Sequence, residues 1–595
     1  MAAGLTLQSA TVRVLDSTGT AIATGKPVTA STGAYGPVAL SGTGPYRVEA
    51  CGTVGDKPLC VWGATTNGGT LNLTPMSSAI TVLASGQSPE TLMSGAVQGL
   101  SDAALASAQT QLRTAIAPAL ADAGLANDFD LLTGALKPGL HTGYDRVLDA
   151  VAVGFGTDTK PFVTLTSRLG SGIAYLEPGT TQGSLALDAA AAGLDLPGLD
   201  TLFTKLIAAT ANSGACQAGL TAVFDTNVRA SVDPTSSPFS GPTQAAQVVC
   251  LRLGGVLGEG ENMFGGKLLP TQLGRCEFGT GEPVCRVSFV YQNSKGFQRV
   301  LGVEQAAVRH ASGWTFLGNR LEIQATAVAR LALTRRVDST APDSYARYLD
   351  ISIPAIGTAG GVLQCARVSQ KDTSGTDTVL ALFKKTTGGY LSLWSVNAND
   401  ATPSLDPLSG ATRGNNIVSV PVPGGAAGDA TVRNFARAGR ALKIELFKDS
   451  GCSTPLGGAD GDAISIDLAG LLPLAAASQS GQPWPALAAA STAALAALKG
   501  AVNAKISYGP IWTFPRGGLA VNRVQLCTDA ACATKLAELE LAGGATAAAL
   551  SATLGNTALN DTSFKLLRMT GRMPDGLVLQ LDSLSCSAQT PGLPC

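Results

Sequence analysis

Charge and histidine are what this 595-residue sequence has least of. Charged residues make up 14% of the chain, the formal net charge is −1, and only two histidines occur, His141 and His310. The scattered basic residues leave no cationic stripe, which excludes the electrostatic footprint of a nucleic-acid or anionic-membrane binder. Histidine is the usual general base and a common metal ligand near neutral pH, so two isolated ones offer little to acid–base or metal chemistry. Each falls beside turn residues, His141 after Pro138-Gly139-Leu140 and His310 before Ala311-Ser312-Gly313, and both read as solvated turn positions. No G-x-S-x-G elbow, H-E-x-x-H, Walker A or dinucleotide glycine pattern is present. Aromatic residues are 5% of the chain, too few for an exposed sugar-binding platform. The alanine-rich runs Leu185–Leu194 and Ala486–Leu498 are too short or too interrupted to cross a bilayer. Met1-Ala2-Ala3-Gly4 leads into an alternating segment with neither a basic region nor an apolar core, so the sequence reads as a mature form, with any leader or lipid anchor lying upstream.

What the sequence does have is glycine, proline and cysteine. With 71 glycines, 31 prolines and 45% hydrophobic residues it is turn-rich and β-rich, and its length suggests roughly four or five domains at about 100 to 200 residues each. The twelve cysteines fall in local couples: Cys51 with Cys60, Cys216 with Cys250, Cys276 with Cys285, Cys365 with Cys452, Cys527 with Cys532, and Cys586 with Cys595. Several couples flank turn residues, which bring Cα atoms within bridging reach. An even, paired distribution predicts six disulfides between nearest partners and an oxidising, extracytoplasmic compartment.

Along the chain, the hydrophobic period changes several times. Thr11-Val12-Arg13-Val14-Leu15-Asp16 alternates, Thr32-Gly33-Ala34-Tyr35 turns, and Pro45–Ala50 alternates again toward a Cys51–Cys60 hairpin. Ser88-Pro89-Glu90 and Ser101-Asp102 are helix starts, and Leu105, Leu112 and Ile116 share one helical face. Leu199–Ala211 supplies a further amphipathic helix. Cys285, Val287, Phe289 and Tyr291 alternate, and Trp314-Thr315-Phe316-Leu317-Gly318-Asn319 opens another strand. Beyond Asp338 the chain reads as β again. A linker-like segment, Leu474–Pro485, precedes a short alanine-rich helix and strands at Lys505–Tyr508, Ile511–Phe514, Val521–Cys527, Phe564–Met569 and Leu577–Leu581.

Three stretches carry resemblances. The V-x-V-x-D-x-x-G and T-G-A-Y elements resemble carboxypeptidase-regulatory-like, transthyretin-like β-sandwiches. Helices followed by a bent antiparallel sheet with its W-x-F-L-G-N strand resemble the NTF2-like cone. The last strands resemble a fibronectin-type-III-like sandwich. The resulting expectation is a multidomain, β-rich chain with a helical insert, β-sandwich modules and an α+β cone-like module. Its segments are 1–83 (carboxypeptidase-regulatory-like sandwich), 84–198 (mostly helical), 199–338 (NTF2-like), 339–472 (β-sandwich) and 473–595 (short helix plus fibronectin-III-like sandwich).

The residues favour a non-enzymatic bacterial envelope or surface protein, structural, adhesive or self-assembling, whose partners are other envelope proteins or further copies of itself. No catalytic residue, cofactor or metal is expected. One alternative places a small apolar ligand in the cone-like module, lined by Phe289, Tyr291 and Trp314. Another makes the chain a carboxylate-dependent enzyme using Glu322, Asp350 or Glu445. Zinc at Cys527 and Cys532 lacks a second ligand pair, and calcium at Asp460-Gly461-Asp462 competes with a plain turn.

Overall fold

The computed structural model describes residues 6–585 except 55–56, 98, 158–159, 231–238, 256–261, 270, 280, 295–297, 319–322, 324, 354–361, 372–376, 386–390, 396–416, 438–440, 458–462, 469, 471, 475–478, 514–519, 542–544, 557 and 574–575. The chain divides into two compact units, Met1–Leu321 and Glu322–Cys595.

The first unit begins with an antiparallel sheet of β1 (Gln8–Leu15), β2 (Ala21–Pro27), β3 (Tyr46–Val54) and β4 (Lys57–Thr65), in the order β2-β1-β3-β4. Alternation buries Val12 and Val14, and the β3–β4 hairpin sets Cys51 directly opposite Cys60. One face is covered by α1 (Pro75–Ser85), started by Thr74 as N-cap and Pro75 in the first turn. Met76 to Leu83 are all buried, and the hydroxyls among them turn inward: Ser77 donates to the Trp62 and Thr74 carbonyls, and Thr81 to the Ser77 carbonyl. Helix α2 (Asp102–Ala115) starts at Ser101, whose hydroxyl accepts from the Ala104 amide, and buries Leu105 and Leu112.

The segment read as mostly helical contains more sheet than its composition suggested. After α3 (Tyr144–Ala150), strands β5 (Val151–Thr157), β6 (Pro161–Ser167), β7 (Ile173–Glu177) and β8 (Thr180–Gly183) form a continuous antiparallel meander. Glycines in β5 and β8 and threonines in β6 and β8 weaken the apolar alternation from which a strand is read.

The third part of this unit holds α4 (Leu196–Ala209), α5 (Ser213–Val223), β9 (Phe224–Ala230), β10 (Phe239–Ser240) and α6 (Pro242–Leu253). It continues through β11 (Lys267–Leu268), β12 (Gln272–Glu277), β13 (Val284–Gln292), β14 (Gln298–His310) and β15 (Gly313–Gly318). The sheet runs β10-β9-β15-β14-β13-β11, with β12 also on β13. Among the described residues its one parallel pair joins the first strand, β9, to the last, β15.

Among the described residues, the second unit holds two large sheets and two two-stranded ones. β16 (Thr326–Arg336), β17 (Ser344–Ser352), β18 (Cys365–Lys371), β19 (Asp377–Lys385), β20 (Leu391–Ser395) and β21 (Ile417–Val422) come first, then β22 (Ala441–Phe447) and β23 (Ala463–Asp467). β24 (Ala520–Cys527), β25 (Lys535–Glu540), β26 (Lys565–Arg572) and β27 (Val578–Ser585) complete the two large sheets, while Ala486–Leu487 pairs with Trp512–Thr513 and Lys505–Tyr508 with Leu550–Thr553. The larger sheet is ordered β21-β17-β16-β27-β26-β24-β25 and the smaller β20-β19-β18-β22-β23. β16 lies parallel to the C-terminal strand β27, so this strand, read as the end of the 199–338 segment, belongs instead to the second unit. The same sheet joins strands from the 339–472 and 473–595 segments. Apolar alternation marks a strand but carries no record of its partner, which is why the sharing was illegible.

Multidomain and β-rich, with several separate sheets and a minority of helix, is therefore the observed architecture.

Candidate functional site

Among the described residues five disulfides are present: Cys51–Cys60, Cys216–Cys250, Cys276–Cys285, Cys365–Cys452 and Cys527–Cys532. The Cys51 and Cys276 bridges link directly opposed residues of antiparallel strands, with Cα separations of 4.1 and 3.9 Å. Cys216 on α5 meets Cys250 on α6. In each bridge both sulfurs lie in the same compact unit. The zinc alternative at Cys527 and Cys532 is closed off, since these two sulfurs are bonded to each other. Cys586 and Cys595 lie outside the described residues, as do Glu322 and Asp460-Gly461-Asp462.

Around two of these bridges the structure brings out a repeat. Asp449-Ser450-Gly451-Cys452-Ser453-Thr454 and Asp529-Ala530-Ala531-Cys532-Ala533-Thr534 adopt the same turn. The Asp449 carboxylate accepts from the Ser453 and Thr454 amides, and that of Asp529 from the Ala533 and Thr534 amides. Each cysteine has φ of 56° and donates its amide to the carbonyl of that aspartate. The Thr454 amide in particular holds the Asp449 carboxyl down at about 2. The D-x-x-C-x-T spacing was available in the sequence as a signal of this turn.

The main departure concerns the histidines, both read as solvated turn residues. His141 does occupy a turn, with φ of 55°, but its side chain is only 15% exposed. Its Nδ1 lies 2.7 Å from Asp149 Oδ2 and its Nε2 3.2 Å from Asp200 Oδ2, while its own amide donates to Asp145 Oδ2 at 2.7 Å. Asp145 and Asp149, four residues apart, share one side of α3, and the left-handed turn before the helix brings His141 over them. All seven residues of α3 are buried, so two aspartates are carried into the core of the unit, and Asp200 comes in from α4. Burial alone would lower the His141 pKa, but bonding to Asp149 and Asp200 outweighs it and raises the value to about 10. Burial pushes the Asp145 carboxyl up to about 6. Arg146, the other charge on α3, is engaged elsewhere, with Asp122 at 2.8 Å and the Ala191 carbonyl at 2.6 Å.

His310 is held in the same manner, between Asp225 at Nε2 and Glu282 at Nδ1, each at 2.5 Å. Asp225 also accepts from Thr315 Oγ1 and the Asn227 amide. Burial opposes the charged forms of His310 and Asp225, yet the bonds win, raising the first and lowering the second. Both histidines are therefore clamped between carboxylates, and each clamp includes at least one from a distant part of the chain, which turn context alone could not indicate.

The apolar residues assigned to a ligand pocket are core. Phe289 packs against Phe203 of α4 and Phe316 of β15, with ring centroids 5.6 and 5.7 Å away. Tyr291 is fully buried with its hydroxyl bonded to Thr210, and Trp314 donates its indole N–H to the Asp195 carbonyl. Of the carboxylates considered for catalysis, Asp350 is bound by Arg330 and the Ser419 hydroxyl, and Glu445 faces Arg367 and Lys443. They stand in different sheets, so they are not brought together as an acid–base pair.

No protein-family model and no curated protein matches the chain. Among solved structures, one described as bearing on host cell surface retention of a 1.5-MDa bacterial ice-binding adhesin aligns at 10% identity and a TM-score of 0.14, covering 51% of this chain and 73% of that one. Another, a tetra-tandem repeat in the extending region of a large adhesion protein, aligns at 10% identity and a TM-score of 0.12, covering 55% and 75%. Superpositions this poor establish neither a shared fold nor a shared role.

Proposed function

We propose that this chain is a non-enzymatic, extracytoplasmic protein of the bacterial envelope or cell surface, with a structural, adhesive or assembly role exerted through contacts with other envelope proteins or with copies of itself. The observation that carries the reading is the set of five disulfides, each closed within one compact unit. Such staples persist in oxidising compartments and are rare where thiols are kept reduced. The sparse surface charge supports a role in association, because a net charge near zero leaves little repulsion between copies. His310 supports a non-catalytic role, since it is bonded to carboxylates at both ring nitrogens. For the third part of the first unit, three helices on a sheet whose first and last strands run parallel support the NTF2-like reading. The carboxypeptidase-regulatory-like and fibronectin-III-like assignments rest on the sequence resemblance.

Two measurements test the proposal. Production of the full chain in an oxidising and in a reducing bacterial compartment should give cooperative unfolding only in the oxidised product. A reduced chain of equal stability would remove the argument for export. Light scattering across protein and salt concentration should show mass rising with concentration, and a strict monomer throughout would rule out self-assembly.

A further inference from the structure

We infer that His141, Asp145 and Asp149 form a binding site for one divalent ion of the zinc or manganese class, the ion taking the place of the proton that Nδ1 of His141 shares with Asp149, while Asp200 holds Nε2 from outside the ligand set. Ligand atoms of His141, Asp145 and Asp149 lie within 4.8 Å of one another, and Asp200 Oδ2 approaches the remaining imidazole nitrogen. Three carboxylates surround one imidazole. The nearby Arg168, whose charge is felt by Asp149, donates its Nη1 to the Leu148 and Val151 carbonyls. Asp145 is fully buried, and among the described residues its Oδ1 has no hydrogen-bond partner. A buried carboxylate oxygen without a donor is costly, and a cation shared with its neighbours satisfies it.

The donor set narrows the ion. One imidazole nitrogen with carboxylate oxygens suits zinc or manganese, whereas calcium and magnesium sites are built from oxygen alone. Asp145 Oδ2 is already oriented by the His141 amide, the kind of outer bond that fixes a ligand in place. His310 offers no equivalent, because the carboxylate of Asp225 is fully engaged by Asn227, Thr315 and the imidazole itself. The two clamps thus look alike around the ring but differ in whether an oxygen is left over.

The test uses the full chain after dialysis against EDTA, titrated calorimetrically with zinc chloride and with manganese chloride. The expected result is one ion bound per chain, binding lost in His141→Gln and unchanged in His310→Gln. Asp200→Asn alters a side chain that is 57% exposed, so folding is preserved, and it should weaken binding about tenfold or more. Should His141→Gln fail to fold, cobalt(II) loading of the unaltered chain supplies a second readout. Paramagnetically shifted imidazole protons from one histidine, persisting in His310→Gln, support the site. No binding of either metal by the folded chain, binding equal in Asp200→Asn, or shifted signals that vanish in His310→Gln would overturn it.

Discussion

Removing Cys365–Cys452 should destabilise the second unit far more than removing Cys527–Cys532, although both bridges end at the same kind of D-x-x-C-x-T turn. The two close loops of 87 and 5 residues. Cross-linking removes denatured-state entropy in proportion to the logarithm of loop length, giving about 4.5 kcal/mol for the long loop and about 2 kcal/mol for the short one. The native-state terms nearly cancel in the comparison. Cys365 and Cys527 are each 0% exposed, and Cys452 and Cys532 are 6% and 7% exposed, so Cys→Ala pairs delete equally buried sulfur. The difference of about 2.5 kcal/mol corresponds to roughly 5 to 10 °C in Tm for a unit of this size. Scanning calorimetry and urea unfolding of the Cys365→Ala/Cys452→Ala and Cys527→Ala/Cys532→Ala chains read it directly. Equal losses, or a larger loss at the short bridge, would refute the reasoning.

Other consequences follow from single residues. Arg47 is fully buried and donates to the carbonyls of Leu92, Asp16 and Gly95, so Arg47→Leu orphans three acceptors and should cost about 3 to 5 kcal/mol in urea unfolding, with Arg47→Lys restoring only part. Gly470 has φ of 81°, and a Cβ there would lie 2.4 Å from the Leu577 backbone, whereas Gly457, with φ of 67°, faces open space. Gly457→Ala should therefore lose about 1 kcal/mol from backbone strain and Gly470→Ala distinctly more, by the same denaturation measurement. The Asp449 carboxyl is lowered in the fold to about 2 from its ordinary 3.8, so the stability it contributes is complete above 3.8 and is lost as pH falls through about 2. Hydrogen exchange at the Ser453 and Thr454 amides should lose protection across that window in the native chain and show no such step in Asp449→Asn.

How much of this was legible in the sequence depended on whether the signal was local. Ser101 capping its helix, Leu105 and Leu112 on one buried face, and the hairpin between Cys51 and Cys60 all follow from neighbours a few residues apart. Helix α1 was not read, because Met76-Ser77-Ser78-Ala79-Ile80-Thr81-Val82-Leu83 is buried all round, and its only polar residues, Ser77, Ser78 and Thr81, are small and uncharged and mark no solvent face. The pairing of β16 with β27 spans some 250 positions, and periodicity names no partner. The histidine clamps were hidden for the same reason. His141 and Asp145 are close in sequence, but Asp200 joins them from another helix, and His310 draws on Asp225 and Glu282. The i, i+4, i+8 spacing of His141, Asp145 and Asp149 was the one local hint, and turn residues before His141 pointed the other way.

Mass-spectrometric peptide mapping of the non-reduced protein isolated from its own cells tests most directly for an oxidised chain whose bridges close locally. It should recover Cys51 linked to Cys60, Cys216 to Cys250, Cys276 to Cys285, Cys365 to Cys452 and Cys527 to Cys532, with alkylation detecting no free thiol at these ten positions. Free thiols at several of them, or a bridge joining the two compact units, would contradict the pairing and the extracytoplasmic reading built on it.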